Sequence, residues 1–365
     1  MIARPLIVVL LLAAVSGCDD GEAATTGVRP APIGKPWARL AEWQLFSDAL
    51  QQVPAAGVMP YEVISPLFSD YTTKRRFVWL PEGASITYRD DGAWDLPVGA
   101  IAIKSFAYPI DERDASKGER ILETRLLVHE PAGWVPHTYV WDVAQATTER
   151  KVAGAFIQAS WIDATGATQQ HQYAVPTASE CRECHGKEPT RLLGLKTAQL
   201  DRPGGDGLNP QNQQNQIDAF QAAGMFANTP TAAASRVRFA APDDARDASL
   251  RARSYLDANC AHCHSSDGEA NSKALYLNFA STDPAADNPA NWGVCKVPTS
   301  AGGATCGHVY DVVPGDADSS VMICRMLSTV GSDQMPPIGR GLAHVEGVAL
   351  VRAWIDGMEP AGCGN

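Results

Sequence analysis

The chain has 365 residues, enough for two or three domains, and 45% of them are hydrophobic, which is ordinary for a globular protein with a core. Acidic residues outnumber basic ones 41 to 30, a formal net charge of -11 at pH 7. That balance argues against nucleic-acid binding and favours a basic patch on any protein partner, with salt-sensitive association.

Arg4 is followed by an apolar run over 6–15 that is too short to span a bilayer, so residues 1–17 read as an export signal. The run ends Val15-Ser16-Gly17-Cys18, which resembles the lipobox of bacterial lipoproteins. Acylation of Cys18 would make it the first residue of the mature chain and hold the protein at a membrane surface. Residues 18–36, rich in Ala, Thr, Gly and Pro, then form a flexible tether.

From 37 to 178 short runs of β-branched and aromatic residues alternate with turn signals, which predicts an antiparallel β domain, a sandwich or a barrel. Expected strands cover 77–80, 85–89, 100–108, 121–130, 134–141, 155–162 and 169–175, separated by turns such as Asp90-Asp91-Gly92 and Pro131-Ala132-Gly133. Asp70, Lys74, Arg75 and Arg76 are either a solvated edge or an anchor for a ligand's propionate or for a partner. By alternation His171 and His137 point toward buried surroundings, as core histidines or metal ligands, and His129 falls at a rim.

Cys181-Arg182-Glu183-Cys184-His185 and Cys260-Ala261-His262-Cys263-His264 each have the Cys-x-x-Cys-His spacing of c-type haem attachment. In such a site the two thiols form thioethers to the haem edge and the histidine ligates iron. Zinc ribbons place their second cysteine pair about 15–20 residues after the first; here Cys184 and Cys260 are 76 apart. A thioredoxin-type dithiol has no need of the following histidine. Two covalently bound haem c groups are expected, in mainly α domains over 179–241 and 242–365.

In the first of these domains 213–226 is helical in pattern, and Met225 is the one methionine between the two motifs. The sixth position of haem 1 is open to Met225, to a histidine of the β domain, or to no protein ligand. In the second domain a helix leads into Cys260 and another closes the chain over 344–358, an arrangement that resembles class I cytochromes c. Between them Gln334-Met335-Pro336-Pro337 stiffens a loop able to present the Met335 sulfur to iron opposite His264. Met322, Met326 and Met358 read as core, Arg340 as a propionate partner. Four cysteines remain, Cys295, Cys306, Cys324 and Cys363, which an exported protein would oxidise. Of three pairings the glycine-rich loop favours Cys295 with Cys306 and Cys324 with Cys363.

Nearly the whole mature chain resembles a bacterial family of di-haem c-type lipoproteins with an N-terminal β region. The resemblance rests on Pro66-Leu67-Phe68-Ser69-Asp70-Tyr71, Leu122-Glu123-Thr124-Arg125-Leu126-Leu127, Tyr139-Val140-Trp141, both haem motifs, Arg251-Ala252-Arg253-Ser254-Tyr255-Leu256-Asp257 and Met335-Pro336-Pro337. It implies a β-helix repeat lipoprotein as a partner but no defined activity. The expected function is electron transfer by a membrane-anchored, periplasm-facing cytochrome. Its alternatives are a peroxidase-like di-haem oxidoreductase with an open sixth position at haem 1, and a binding module whose β domain docks an envelope partner.

Overall fold

The computed structural model describes residues 27–186, 191–204, 213–285, 288–299 and 306–364. The expected leader, Cys18 and the start of the tether lie outside them.

Six strands, β3 (Val58–Tyr61), β4 (Thr73–Trp79), β5 (Ile101–Pro109), β6 (Glu119–Glu130), β7 (Gly133–Trp141) and β8 (Thr148–Lys151), form one antiparallel meander in sequence order. Two hairpins flank it, β1 (Phe46–Asp48) with β2 (Val53–Pro54), and β9 (Ala155–Ile162) with β10 (Thr168–Val175). The sheet does not close into a barrel: β3 and β8 are its opposite edges. The β8 edge is occupied instead by the preceding chain, where Leu40 N–H donates to Thr148 Oγ1 at 2.9 Å and Arg150 N–H to the Ala38 carbonyl at 3.2 Å.

Both faces of the sheet are covered, which is why β5 reads as an almost unbroken apolar run. Phe77, Ile101, Ile103, Leu126 and Tyr139 face one way, onto Leu40, Trp43 and Leu45. Val78 and Ala102 face the other way, onto Trp94, Leu195 and Phe220. Further along that second face Tyr108 stacks on Trp161 of β9 at 4.2 Å. The predicted strand at 85–89 is not one: Ile86 and Thr87 make isolated bridges to Phe226 and Asp95.

Of the four charged residues at 70–76 only Arg75 is solvent-exposed. Asp70 is 2% exposed, and Lys74 and Arg76 lie half-buried on β4, a strand paired on both sides. Glu123 is fully buried, with Arg125 (2.5 and 2.8 Å) and the Tyr173 hydroxyl (2.6 Å) as its donors. Such a carboxylate is tolerated only because its lone pairs are met.

Six α-helices follow among the described residues: α1 (Ala178–His185), α2 (Thr197–Leu200), α3 (Gln216–Ala222), α4 (Ala248–Asn259), α5 (Val321–Leu327) and α6 (Val345–Asp356). Thr177 and Glu180 form a reciprocal capping box that starts α1. Helices α4 and α6 pack together, and a Cβ at Gly347 would overlap the Tyr255 ring, so glycine sets how closely they approach.

The four spare cysteines are oxidised, but the pairing is Cys295–Cys363 and Cys306–Cys324, with Cα separations of 5.0 and 6.2 Å. This corrects the expected partners. Cys295 N–H bonds to the Val312 carbonyl, and the chain leaving α6 returns to that same segment, where Gly315 meets Pro360. The tail therefore reaches Cys295, leaving Cys324 of α5 for Cys306.

His137 lies on the face turned to Trp43, 6.1 Å from its ring, and burial lowers its pKa to about 4. A histidine kept neutral in the fold but protonated in the unfolded chain costs nothing above pH 6.5 and destabilises progressively as pH falls toward 4. His137→Gln should remove up to about 3 kcal/mol of the acid-induced loss in that window, read by urea unfolding between pH 7 and pH 4.

Candidate functional site

Helix α1 carries the first motif and α4 delivers the second. Cys260 is the C-cap of α4, and a tight turn follows, in which Cys263 N–H and His264 N–H both donate to the Cys260 carbonyl at 3.1 and 2.9 Å. The two motifs meet. The ligand atoms of Cys184, His262 and Cys263 all lie within 4.8 Å of one another, and Cys263 Sγ is 3.7 Å from the Glu183 carbonyl. Cys263 is lowered to about 4 by its hydrogen bond with Cys184 and by His262, while the same bond and burial raise Cys184. Burial pushes Cys260 up to about 12.

Arg191 ties the motifs from behind. Its carbonyl accepts from His185 Nδ1 at 2.9 Å, while its guanidinium donates to the His262 carbonyl at 2.8 Å and to Asp267 at 3.1 Å. The first of these bonds protonates Nδ1 and leaves Nε2 with its lone pair, the tautomer a metal-ligating histidine needs. Burial lowers His185 to about 4, which keeps the ring neutral. His264 is also lowered by burial, and its Nδ1 is a buried atom without a hydrogen-bond partner.

Cys260, Cys263 and His264 line one cavity of about 360 Å3, whose other walls include Met335, Pro336, Pro337 and Ile338. Cys184 of the first motif lines it too, and Met322 and Met326, expected in the core, contribute to both core and cavity wall. The loop presenting Met335 is held by its backbone. Met335 N–H donates to the Arg325 carbonyl at 3.0 Å, and Arg340 donates back to the Met335 carbonyl at 2.8 Å. Arg340 also donates to the carbonyls of Met326, Ser328 and Leu342 at 3.1, 2.9 and 2.9 Å. Its role is to knit the end of α5 to this loop, a job only a multi-donor guanidinium can do.

The β region reaches this cavity through the 66–71 loop. Phe68 N–H donates to Asn259 Oδ1 at 2.7 Å, and its ring stacks on His344 at 4.2 Å. Asp70 and Tyr71 both have positive φ, 50° and 60°, an arrangement costly for non-glycine residues. It aims Asp70 Oδ1 at the N–H groups of Gly341 and Leu342, each at 2.8 Å, while Oδ2 accepts from His171 Nε2 at 3.0 Å. His171 in turn leaves no room at Gly341, where a Cβ would come within 2.9 Å of its ring.

The remaining expected ligands of the first site are engaged elsewhere. His171 is on Asp70, and His129 stacks on Trp134 at 4.6 Å with Nδ1 bonded to the Leu96 carbonyl. Met225 packs against the cluster of Trp94, Phe220 and Phe226, its N–H on the Phe220 carbonyl and its carbonyl on Ile86. Sequence reasoning missed the Arg191 bridge and the Asp70 clamp, because Arg191 reaches the His262 carbonyl 71 positions on and Asp70 reaches Gly341 271 positions on. No protein-family model, curated protein or solved structure matches the chain.

Asp70→Ala leaves two N–H groups near Met335 without their acceptor and should destabilise the protein by about 3 kcal/mol in urea unfolding. Asp70→Asn, which retains an acceptor oxygen and tolerates positive φ, should lose less than half of that.

Proposed function

We propose that this chain is a membrane-anchored di-haem c-type cytochrome of the bacterial cell envelope, facing the periplasm and passing electrons between redox partners. The apposition of Cys184 with Cys263 carries this reading: two attachment motifs far apart in sequence adjoin in space, as two redox groups in electronic contact require. A haem held at each motif supplies a one-electron iron couple, raised in potential where a thioether is the second axial ligand.

Cys181 and Cys184 would hold one haem, with His185 as its iron ligand; Cys260 and Cys263 would hold the other, between His264 and Met335. The donor set fits. Each motif offers two thiols and an imidazole with Nε2 or Nδ1 uncommitted, and the second motif faces a methionine across one cavity. A zinc ion on Cys184, His262 and Cys263 is the competing use of the thiols. It would leave Cys181, His185, Cys260, His264 and Met335 without a role. Export, acylation at Cys18 and membership of the di-haem lipoprotein family belong to the same proposal, as do the partners, a redox protein with a basic patch and a β-helix repeat lipoprotein.

One observation favours a second reading, a di-haem oxidoreductase with an open sixth position at the first haem. The candidates for that position, Met225, His129, His137 and His171, each have another partner or face.

Paramagnetic resonance of the ferric protein, followed by carbon monoxide addition to the reduced form, decides between the two. Two low-spin haems inert to carbon monoxide are expected of the carrier, and one high-spin haem that binds it makes the oxidoreductase reading correct. In Met335→Ala the haem at Cys260 and Cys263 should gain carbon monoxide binding; an unchanged spectrum removes Met335 as a ligand.

A further inference from the structure

Residues paired across an antiparallel sheet share a face, so Tyr61, Arg76, Lys104, Arg125, Thr138 and Lys151 form a single row crossing β3 to β8. Four of the six are cations. Arg76, Lys104 and Arg125 are direct neighbours on adjacent strands, and Lys74 stands on the same face opposite Phe106. Like charges directly opposite one another in a sheet repel and destabilise it.

Glu123 neutralises Arg125, and Glu149 pairs with Lys151 at 2.8 Å, which leaves Arg76, Lys104 and the neighbouring Lys74 without an ion pair among the described residues. Lys74 Nζ donates to the Thr72 carbonyl at 2.6 Å and Arg76 to the Lys74 carbonyl at 3.4 Å, both uncharged acceptors. Lys104 Nζ lies 4.9 Å from the centre of the Phe106 ring, and among the described residues no carboxylate is within ion-pair distance of it. The same ring has Arg125 at 4.3 Å and Lys74 at 5.9 Å. Burial and the neighbouring cations push Lys104 well below its ordinary pKa, and Lys74 down to about 7. A compact cluster of this kind is short of negative charge.

The row runs across the middle of the face, between the apolar patch of Val78 and Ala102 and the patch where Val140 meets the β9–β10 hairpin. Helix α1 packs on β7 of this sheet. Arg125 is paired with Thr138 of that strand, so the row crosses the strand on which α1 packs. The cations thus lie near the helix that bears the first Cys-x-x-Cys-His motif, and the lining of the Met335 cavity includes none of them.

We propose that Lys74, Arg76 and Lys104 seat a pair of carboxylates, the propionates of the haem joined to Cys181 and Cys184, a role that rests on the di-haem reading. Two carboxylates supply the charge the row lacks and turn its mutual repulsion into attraction. The same cations favour the reduced form of the adjacent iron, since ferric iron carries one more positive charge than ferrous.

The test uses the full mature protein, with haem counted per chain and both couples followed by redox titration. In Lys104→Gln and Arg76→Gln, two haems should remain, one couple should fall by about tenfold in its reduction equilibrium, and the other should stay in place. The propionate bands in the resonance Raman spectrum should shift with it, and Lys104→Arg should restore the wild-type couple. If Lys104→Gln does not accumulate, Arg76→Gln carries the same measurement. Variants with two haems whose couples and propionate bands are unmoved overturn the proposal. Saturable binding of succinate to the wild-type holoprotein, lost in Lys104→Gln, also overturns it, because the row is then open to a free dicarboxylate. Wild-type protein without haem at Cys181 and Cys184 refutes the di-haem reading itself.

Discussion

Arg191 is the hinge between the two halves of the candidate site. One residue gives its carbonyl to His185 and its guanidinium to the His262 carbonyl, so the first motif's histidine and the second motif's backbone are fixed to the same point. Lys196, five positions on, pairs with Asp257 on α4, and Asp257 also accepts from the Phe279 N–H at 3.0 Å. Through these contacts the segment after α1 is bound to the helix that leads into Cys260. The spacing of Cys184 and Cys263 follows from them.

A second constraint comes from the β region, which is a scaffold for the site as well as a layer beside it. The 66–71 loop grips α4 at Asn259 and the chain beyond the Met335 loop at Gly341 and Leu342. Both walls of the cavity are thereby referred to one strained loop, whose backbone conformation is stabilised by the hydrogen bonds it makes. Asp70 also accepts, through its carbonyl, a 2.5 Å hydrogen bond from Tyr108 on β5, so the clamp is anchored in the sheet itself.

Local patterns were legible in the sequence, and long-range contacts were not. Alternation and turn residues located β5, β6, β7, β9 and β10 to within a residue or two, because these strands bury regular apolar faces. They missed β3, which contains Pro60, and β8, whose Thr-Glu-Arg-Lys has no apolar alternation and forms an edge. Sandwich or barrel was left open, and the single open sheet was not foreseen, since closure depends on which edges meet. Helices α4 and α6 were readable from their apolar stripes and flanks. The disulfides were placed on the right cysteines but paired by loop proximity, whereas the return of the tail after α6 set the partners. In the site, Cys-x-x-Cys-His spacing marked the thiols and histidines. Nothing local in the chain announced that Cys184 would adjoin Cys263, or that Arg76, Lys104 and Arg125 would fall in register across three strands.

The most direct test of the central claim is the mass of the mature protein, followed by the masses of the peptides containing 181–185 and 260–264. Two covalently attached haems, one on each peptide, are expected. Free thiols at either motif, or a chain that carries zinc and no haem, would contradict the account.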